Sequence, residues 1–311
     1  MTPTPARRAF PEWDWPTLVL IVLVLVVWGG ALWLPDGWRP LAFVLLVLAL
    51  TLHSSLSHEL LHGHPFGHAG AETAIGLWQP GLFVPYLRFK RTHLAHHRDA
   101  NLTDPYDDPE SNFLDPAVWD RLPRWFQAVL RVNNTLAGRI VLGSLIGMTA
   151  FVRSDLRAAW AGDREIVRDW LAHIPGVVLT LWAVSASPLG LWTYLLACYG
   201  AMSVLRIRTF LEHCAHDRVS GRTVIVEDRG PLGFLFLNNN LHVVHHMHPN
   251  LAWYRLWPLY LSQRERFVTR NHGYVYPSYA AIFRRYFWRA KDPVAHPLWR
   301  RGAERGRRGH D

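Results

Sequence analysis

Cysteine is almost absent from the 311-residue chain: the only two are Cys198 and Cys214. Cys198 falls inside an apolar run and Cys214 beyond it, so no disulfide is expected, and Cys214 is assigned a packing role. A single thiol between His213 and His216 does not make a zinc site. No internal repeat or low-complexity block stands out, which leaves no sign of a repeat array. Acidic residues are also scarce, 24 against 33 Lys and Arg, for a net charge of +9. Most of that surplus is C-terminal: Arg264, Arg266, Arg270, Arg284, Arg285, Arg289, Lys291, Arg300, Arg301, Arg305, Arg307 and Arg308 face only Glu265, Asp292, Glu304 and Asp311. No nucleic-acid recognition motif accompanies the charge, so nucleic acid is not an expected partner. A basic tail resting on anionic lipid accounts for it better.

Hydrophobic residues are plentiful, at half of the chain, and they come in long blocks. Thr17 to Leu34 and Leu41 to Leu52, continuing toward His58, are nearly uncharged and are joined by Pro35-Asp36-Gly37-Trp38-Arg39-Pro40, which predicts a transmembrane hairpin. The first run is too long for a signal peptide and ends in Trp and Pro, without a small-residue cleavage site. A second pair, Trp170 to Ala186 and Leu189 to Leu205, is broken at Ser185-Ala186-Ser187-Pro188. The expected fold is therefore all-α, a bundle of four transmembrane helices in two hairpins with a cytoplasmic helical cap. It is read as one domain over 1–311, with hairpins at 17–58 and 170–206 and cytoplasmic segments at 59–169 and 207–311. Ile140 to Val152, closed off by Arg139 and Arg153, is expected to be interfacial or re-entrant because it is short. Ile75 to Tyr86, interrupted by Pro80 and Pro85, is expected to ride the membrane surface. Arg7 and Arg8 before the first run, with Arg206 and Arg208 after the fourth, predict that both termini of a multi-pass membrane protein face the cytoplasm.

Eight of the 18 histidines fall in three clusters: His58 and His62 in HELLH, His93, His96 and His97 in HLAHH, and His242, His245 and His246 in HVVHH. On a helix, residues at i, i+3 and i+4 project from one face, so each cluster can aim its imidazoles at a common point. Imidazole suits borderline metals, and eight ligands exceed the four to six that one ion takes, so two metals are implied. With two spans before the second cluster and two more between it and the third, all three are expected on the cytoplasmic side.

The HxxxH box and two HxxHH boxes, ordered around two membrane hairpins, resemble the integral-membrane fatty acid desaturase and hydroxylase superfamily, in particular its bacterial fatty acid desaturases. The resemblance runs from about Leu41 to Trp257 and its ordered boxes are highly specific. It implies that the eight box histidines ligate two non-haem irons. Members often add a histidine after the last span, a place taken here by Arg208-Thr209-Phe210-Leu211-Glu212-His213-Cys214-Ala215-His216, so His213 or His216 is a ninth ligand. Asn240, ahead of the third box, is expected to orient His242 or hold a water. The implied activity uses O2 and electrons from an external donor to take hydrogen from an unactivated carbon of a lipid or other apolar substrate. No haem or flavin motif is fused to the chain, so the donor is expected to be a separate ferredoxin, rubredoxin or cytochrome type. The leading expectation is desaturation of a fatty acyl or related chain; the alternative is a hydroxylase or ketolase of an alkane, carotenoid or similar metabolite. Glu59 stands where many desaturases carry Asp, as in some hydrocarbon oxygenases of the superfamily, which leaves the substrate open.

Beyond the boxes, Asp104, Asp107, Asp108 and Glu110 form a turn-rich acidic stretch from which one carboxylate is expected to fix an imidazole, Asp104 first. Glu59 and His216 join it as supporting candidates. His53 is out of phase with the ligand face and suits capping or packing at the membrane interface, His64 lies before Pro65 as a minor metal candidate, and His248, before Pro249, suits a supporting or turn role. Trp253 and Trp257 are candidates to line a substrate path. His58-Glu59-Leu60-Leu61-His62 also matches the HExxH motif of intramembrane zinc proteases, with Glu59 as base. That alternative leaves six box histidines unexplained and finds no Asp on a later span for a third ligand.

Overall fold

A computed structural model describes residues 14–98 and 102–299. Arg7, Arg8 and the tail from Arg300 to Asp311, His310 included, lie outside them. Among the described residues the helices run in chain order as α1 (Trp15–Leu32), α2 (Arg39–Leu61), α3 (Ala69–Gly76), α4 (Tyr86–Arg98) and α5 (Pro116–Arg121). There follow α6 (Arg124–Asn133), α7 (Leu136–Trp160), α8 (Arg164–Ala186), α9 (Leu191–Thr209) and α10 (Pro231–Leu235). The last are α11 (His242–Met247), α12 (Leu256–Ser262), α13 (Arg264–Arg270) and α14 (Tyr279–Tyr286). A short parallel ladder pairs β1 (Ile225–Val226) with β2 (Val275–Tyr276), Ile225 opposite Val275. The chain divides into two compact units.

One unit takes in the chain up to Lys90 together with Asp163–Ala201 and Pro249–Arg255. Asp14 starts α1, accepting from Thr17 N at 3.2 Å, and Pro16 occupies the first turn where no amide donor is needed. The 3₁₀ turn Asp36–Trp38 reverses the chain so that α2 packs against α1, with Ala42, Leu46 and Ala49 of α2 buried. Val19, Val22, Val26, Val44 and Leu48 stay exposed. An apolar outer face of that extent calls for lipid contact. Residues 77–85 are tied to α8 and α9. Trp78 Nε1 donates to Thr180 Oγ1 (2.9 Å), Tyr194 Oη to the Pro80 carbonyl (2.6 Å), and His173 Nε2 lies 2.7 Å from the Leu82 carbonyl. Prolines break the helix there, and side chains of α8 and α9 satisfy the backbone groups it frees. Gly76 is required at its position, since a Cβ would come within 2.5 Å of the Tyr86 ring.

The other unit takes in Arg91–Gly162, Met202–His248 and the chain from Leu256 onward. Its core gathers Phe236, Tyr260, Phe267 and Ile282, all fully buried, beside the β-ladder. Asn271 Nδ2 donates to the Thr223 and Tyr274 carbonyls, holding the segments that lead into the two strands.

Among the described residues four helices are long and apolar enough to cross a membrane, and they are not quite the four expected. Trp15–Leu32, the stretch Asp36–Leu61 and Arg164–Ala186 are among them; the fourth is Leu136–Trp160, not Leu191–Thr209. Arg139, which made the run after it look short, does not end a helix. It is buried within α7 and donates to the Asn133 carbonyl and to Asn134 Oδ1 and Asn112 Oδ1. Satisfied in this way, the guanidinium lets the helix run on to Trp160.

Candidate metal centre

On α2, His58 and His62 are one helical turn apart, both buried, with ring centroids 4.8 Å apart. The HxxxH spacing thus yields the shared face it predicts. Glu59, buried between them, accepts a hydrogen bond from Trp253 N at 3.1 Å, and its other oxygen lies 3.7 Å from His58 Nδ1. Trp253 Nε1 is in turn bound to Thr17 Oγ1. His64 is engaged elsewhere: Nδ1 lies 3.1 Å from Asp14 Oδ2 and Nε2 3.2 Å from the Asn250 carbonyl. The charge of Asp14 and its hydrogen bond outweigh burial and raise the His64 pKa.

In the other unit the second and third boxes meet. His93, His96 and His97 sit on the last turns of α4, and His242, His245 and His246 fill α11. His93, His97 and His245 bring their ligand atoms within 4.8 Å of one another. His97 Nε2 is 2.9 Å from His93 Nε2 and 3.0 Å from His245 Nε2. His96, His213, His242 and His246 form a second group on the same criterion of 4.8 Å. There His242 Nε2 lies 3.1 Å from both His213 Nε2 and His246 Nε2. His213 enters from the segment after α9, pinned by a bridge to Thr223 and by Lys291 Nζ donating to its carbonyl.

The outward nitrogens of three of these rings are fixed. His93 Nδ1 bonds Glu110 Oε1 (2.9 Å), His96 Nδ1 bonds Asp108 Oδ1 (2.7 Å) and His242 Nδ1 bonds Asn239 Oδ1 (3.0 Å). An acceptor at Nδ1 holds a proton there and aims Nε2 inward. Asp108 is itself held, accepting from Thr103 N and Glu110 N. Burial and the crowding of like rings push His97 and His213 down to about 3 and hold His242 and His246 well below the usual histidine range, so these rings are neutral lone-pair donors. Burial opposes protonation of His96 as well, but Asp108, with Glu110 and Glu212, outweighs it and raises the pKa to about 9. Burial raises the Asp108 and Glu110 carboxyls, yet the facing histidines pull both below the usual carboxylate range.

A core of packed imidazoles whose ring nitrogens face each other at 2.9–3.1 Å has no purpose as packing. The buried His96 Nε2 points inward without a hydrogen-bond partner among the described residues. Both observations fit metal ions as the missing partner, and an all-imidazole donor set suits a borderline transition metal.

Several expected supporting residues are placed differently. Asp104 does not touch a ligand ring: Oδ1 closes a turn on Tyr106 N and Asp107 N, and Oδ2 accepts from Trp299 Nε1. Asp108 and Glu110, further along the same acidic stretch, reach the rings. Asn240 does not orient His242; its Nδ2 clamps the Val226 and Asp228 carbonyls, and its neighbour Asn239 meets the ring. His216 stacks on His272 with centroids 4.8 Å apart and bonds Arg218 N, outside both groups. Trp257 Nε1 is spent on Asn238 Oδ1. Glu212 was not singled out, although it is buried 2.9 Å from Arg208 Nε and 3.9 Å from His242 Nδ1. An acid directly before a ligand candidate and four residues after an arginine was the available signal.

Long apolar helices with exposed outer faces and histidine groups able to hold metal define a membrane protein with a candidate histidine metal centre. The chain belongs to the fatty acid desaturase family, whose family model matches residues 36–280. It is an oxidoreductase of that membrane class. It is also similar to a beta-carotene ketolase from Paracoccus sp. (strain PC1), 27% identical over 255 residues that cover 77% of this chain and 88% of the ketolase.

Proposed function

We propose that the protein is a di-iron oxidase that uses O2 and electrons from a separate one-electron carrier to desaturate a fatty acyl or related lipid chain. The observation that carries this reading is the two neighbouring histidine groups whose outer nitrogens are fixed by Asp108, Glu110 and Asn239. In this reading His93, His97 and His245 serve one iron and His96, His213, His242 and His246 the other. His58 and His62 belong to the ligand set on the strength of their shared helical face. When bound, the iron pair supplies reductive activation of O2 strong enough to take hydrogen from an unactivated carbon.

The chain's own residues do the rest. Asp108 and Glu110 hold the His96 and His93 rings in one tautomer, and Asn239 does so for His242. Both carboxylates also offset the positive charge of a bound metal in a buried site. Glu212 adds a further buried carboxyl near His242. Tight packing of ring on ring keeps bulk water from the reacting centre. The site is proposed to face the cytoplasm of a bacterial inner membrane, with both termini on that side.

A second reading, oxygenation of a carotenoid or other apolar metabolite to an alcohol or ketone, is favoured by the match to the ketolase along 88% of its length and by Glu59 in the first box. The two readings share the metal centre and differ in which carbon is presented to it and in whether oxygen is transferred. A single experiment separates them: express the protein in a heterologous host and compare fatty acids and apolar metabolites by mass spectrometry, with His245→Ala as control. New double bonds in acyl chains support the first reading; new oxygenated apolar products with unchanged acyl chains support the second. Purified protein holding about one zinc in place of about two irons contradicts both.

A further inference from the structure

A groove of about 800 Å³ runs along α7 where α6 packs against it. Its lining repeats every four residues, so it follows one continuous face of the helix. Leu145, Ile146 and Ala150, with Phe126 of α6, make an apolar wall, and Arg153 and Arg157 close one end. Both arginines are exposed, and among the described residues neither forms an ion pair with a carboxylate. One helical turn beyond Arg157 stands Trp160, 84% exposed, the residue type that settles at the level of lipid headgroups. From Leu145 to Arg157 the helix rises about 18 Å, close to the roughly 15 Å of one bilayer leaflet's hydrocarbon.

We propose that this groove is a binding site for a membrane phospholipid with an anionic headgroup, its phosphate on Arg153 and Arg157 and an acyl chain laid along Leu145, Ile146 and Phe126. Charge selects the occupant. A zwitterionic lipid carries its own cation into a site that already holds two, whereas an anionic one neutralises them. The length of the apolar wall selects a bilayer lipid over a short soluble phosphate ester. The site is separate from the histidine centre and requires no metal, so its success or failure is distinguishable from that of the proposed activity.

The test uses the full-length, delipidated, metal-free protein in detergent, titrated with phosphatidylglycerol or phosphatidylcholine of identical acyl chains and read by native mass spectrometry. One phosphatidylglycerol should bind with about thirty-fold preference, the factor that two arginines provide at about 1 kcal/mol each. Arg153→Gln with Arg157→Gln should erase the preference while apolar binding persists. A phosphatidylglycerol carrying a photoreactive group on its acyl chain, applied to the unaltered protein, should label the peptide spanning 145–158 and thereby covers the case in which the variant fails to fold. Equal binding of the two lipids, labelling confined to other helices, or displacement by oleate at equal concentration overturns the proposal.

Discussion

Replacing Asp108 by Asn tests the electrostatic design of the histidine centre. Asp108 Oδ1 lies 2.7 Å from His96 Nδ1, and its carboxylate is the leading reason the His96 pKa stands at about 9 despite burial. In the metal-free protein at pH 7 the ring therefore carries a proton that metal must displace. Two pH units below its pKa, that competition costs about a hundredfold in apparent affinity, which should be regained tenfold per unit as pH rises to 9. Asn removes the charge, burial then dominates, and the His96 pKa falls. The affinity of the variant should gain far less between pH 7 and 9. At pH 9, where neither protein holds that proton, it should still bind about 10–100-fold more weakly, because an amide orients and polarises the ring less well. Anaerobic titration with Co(II), followed by its visible absorption across this pH range, measures both quantities. Parallel pH slopes for the two proteins, or equal affinity at pH 9, would refute the reasoning.

Three further outcomes are expected. His213→Ala should lower bound metal by about one ion per chain while His216→Ala leaves it unchanged, as elemental analysis of the purified variants will show; the reverse result would move the ninth ligand to His216. The chelated protein should be most stable near pH 6.5. His97 and His213, at about 3 in the fold, bind protons only when unfolded as pH drops below 6.5, costing up to about 1.4 kcal/mol per unit for each. The stability that His96 contributes is complete below 6.5 and is lost as pH rises through about 9. A melting temperature that stays level from pH 6.5 to 4.5 contradicts this account. Gly76→Ala should destabilise by about 1–3 kcal/mol through collision with the Tyr86 ring, and Tyr86→Leu in the same chain should recover part of that loss in thermal unfolding.

The meeting of the second and third boxes constrains how the chain threads a membrane. His97 Nε2 and His245 Nε2 are 3.0 Å apart, so an even number of crossings separates them. Three long helices, α7, α8 and α9, lie between, and all three therefore do not cross. By length and composition α7 and α8 are the candidates.

Local pattern alone determined the helical class, the first two apolar helices, the three boxes and the family, because a 3.6-residue period fixes which side chains share a face whatever packs around them. It also narrowed the supporting carboxylate to four neighbouring acids. Tertiary structure decided which of them reach the histidines: Asp104 turns back on its own loop, whereas Asp108 and Glu110 bond rings on α4, a difference of a few residues in a turn. It likewise separated His213 from His216 and Asn239 from Asn240, adjacent or near-adjacent residues of like chemistry. Composition cannot rank such pairs, because the choice depends on which side chain the fold aims inward and which it spends on the backbone. The same holds for Arg139. As a letter it marks the end of an apolar run; buried and hydrogen-bonded to three asparagines, it lets the helix continue.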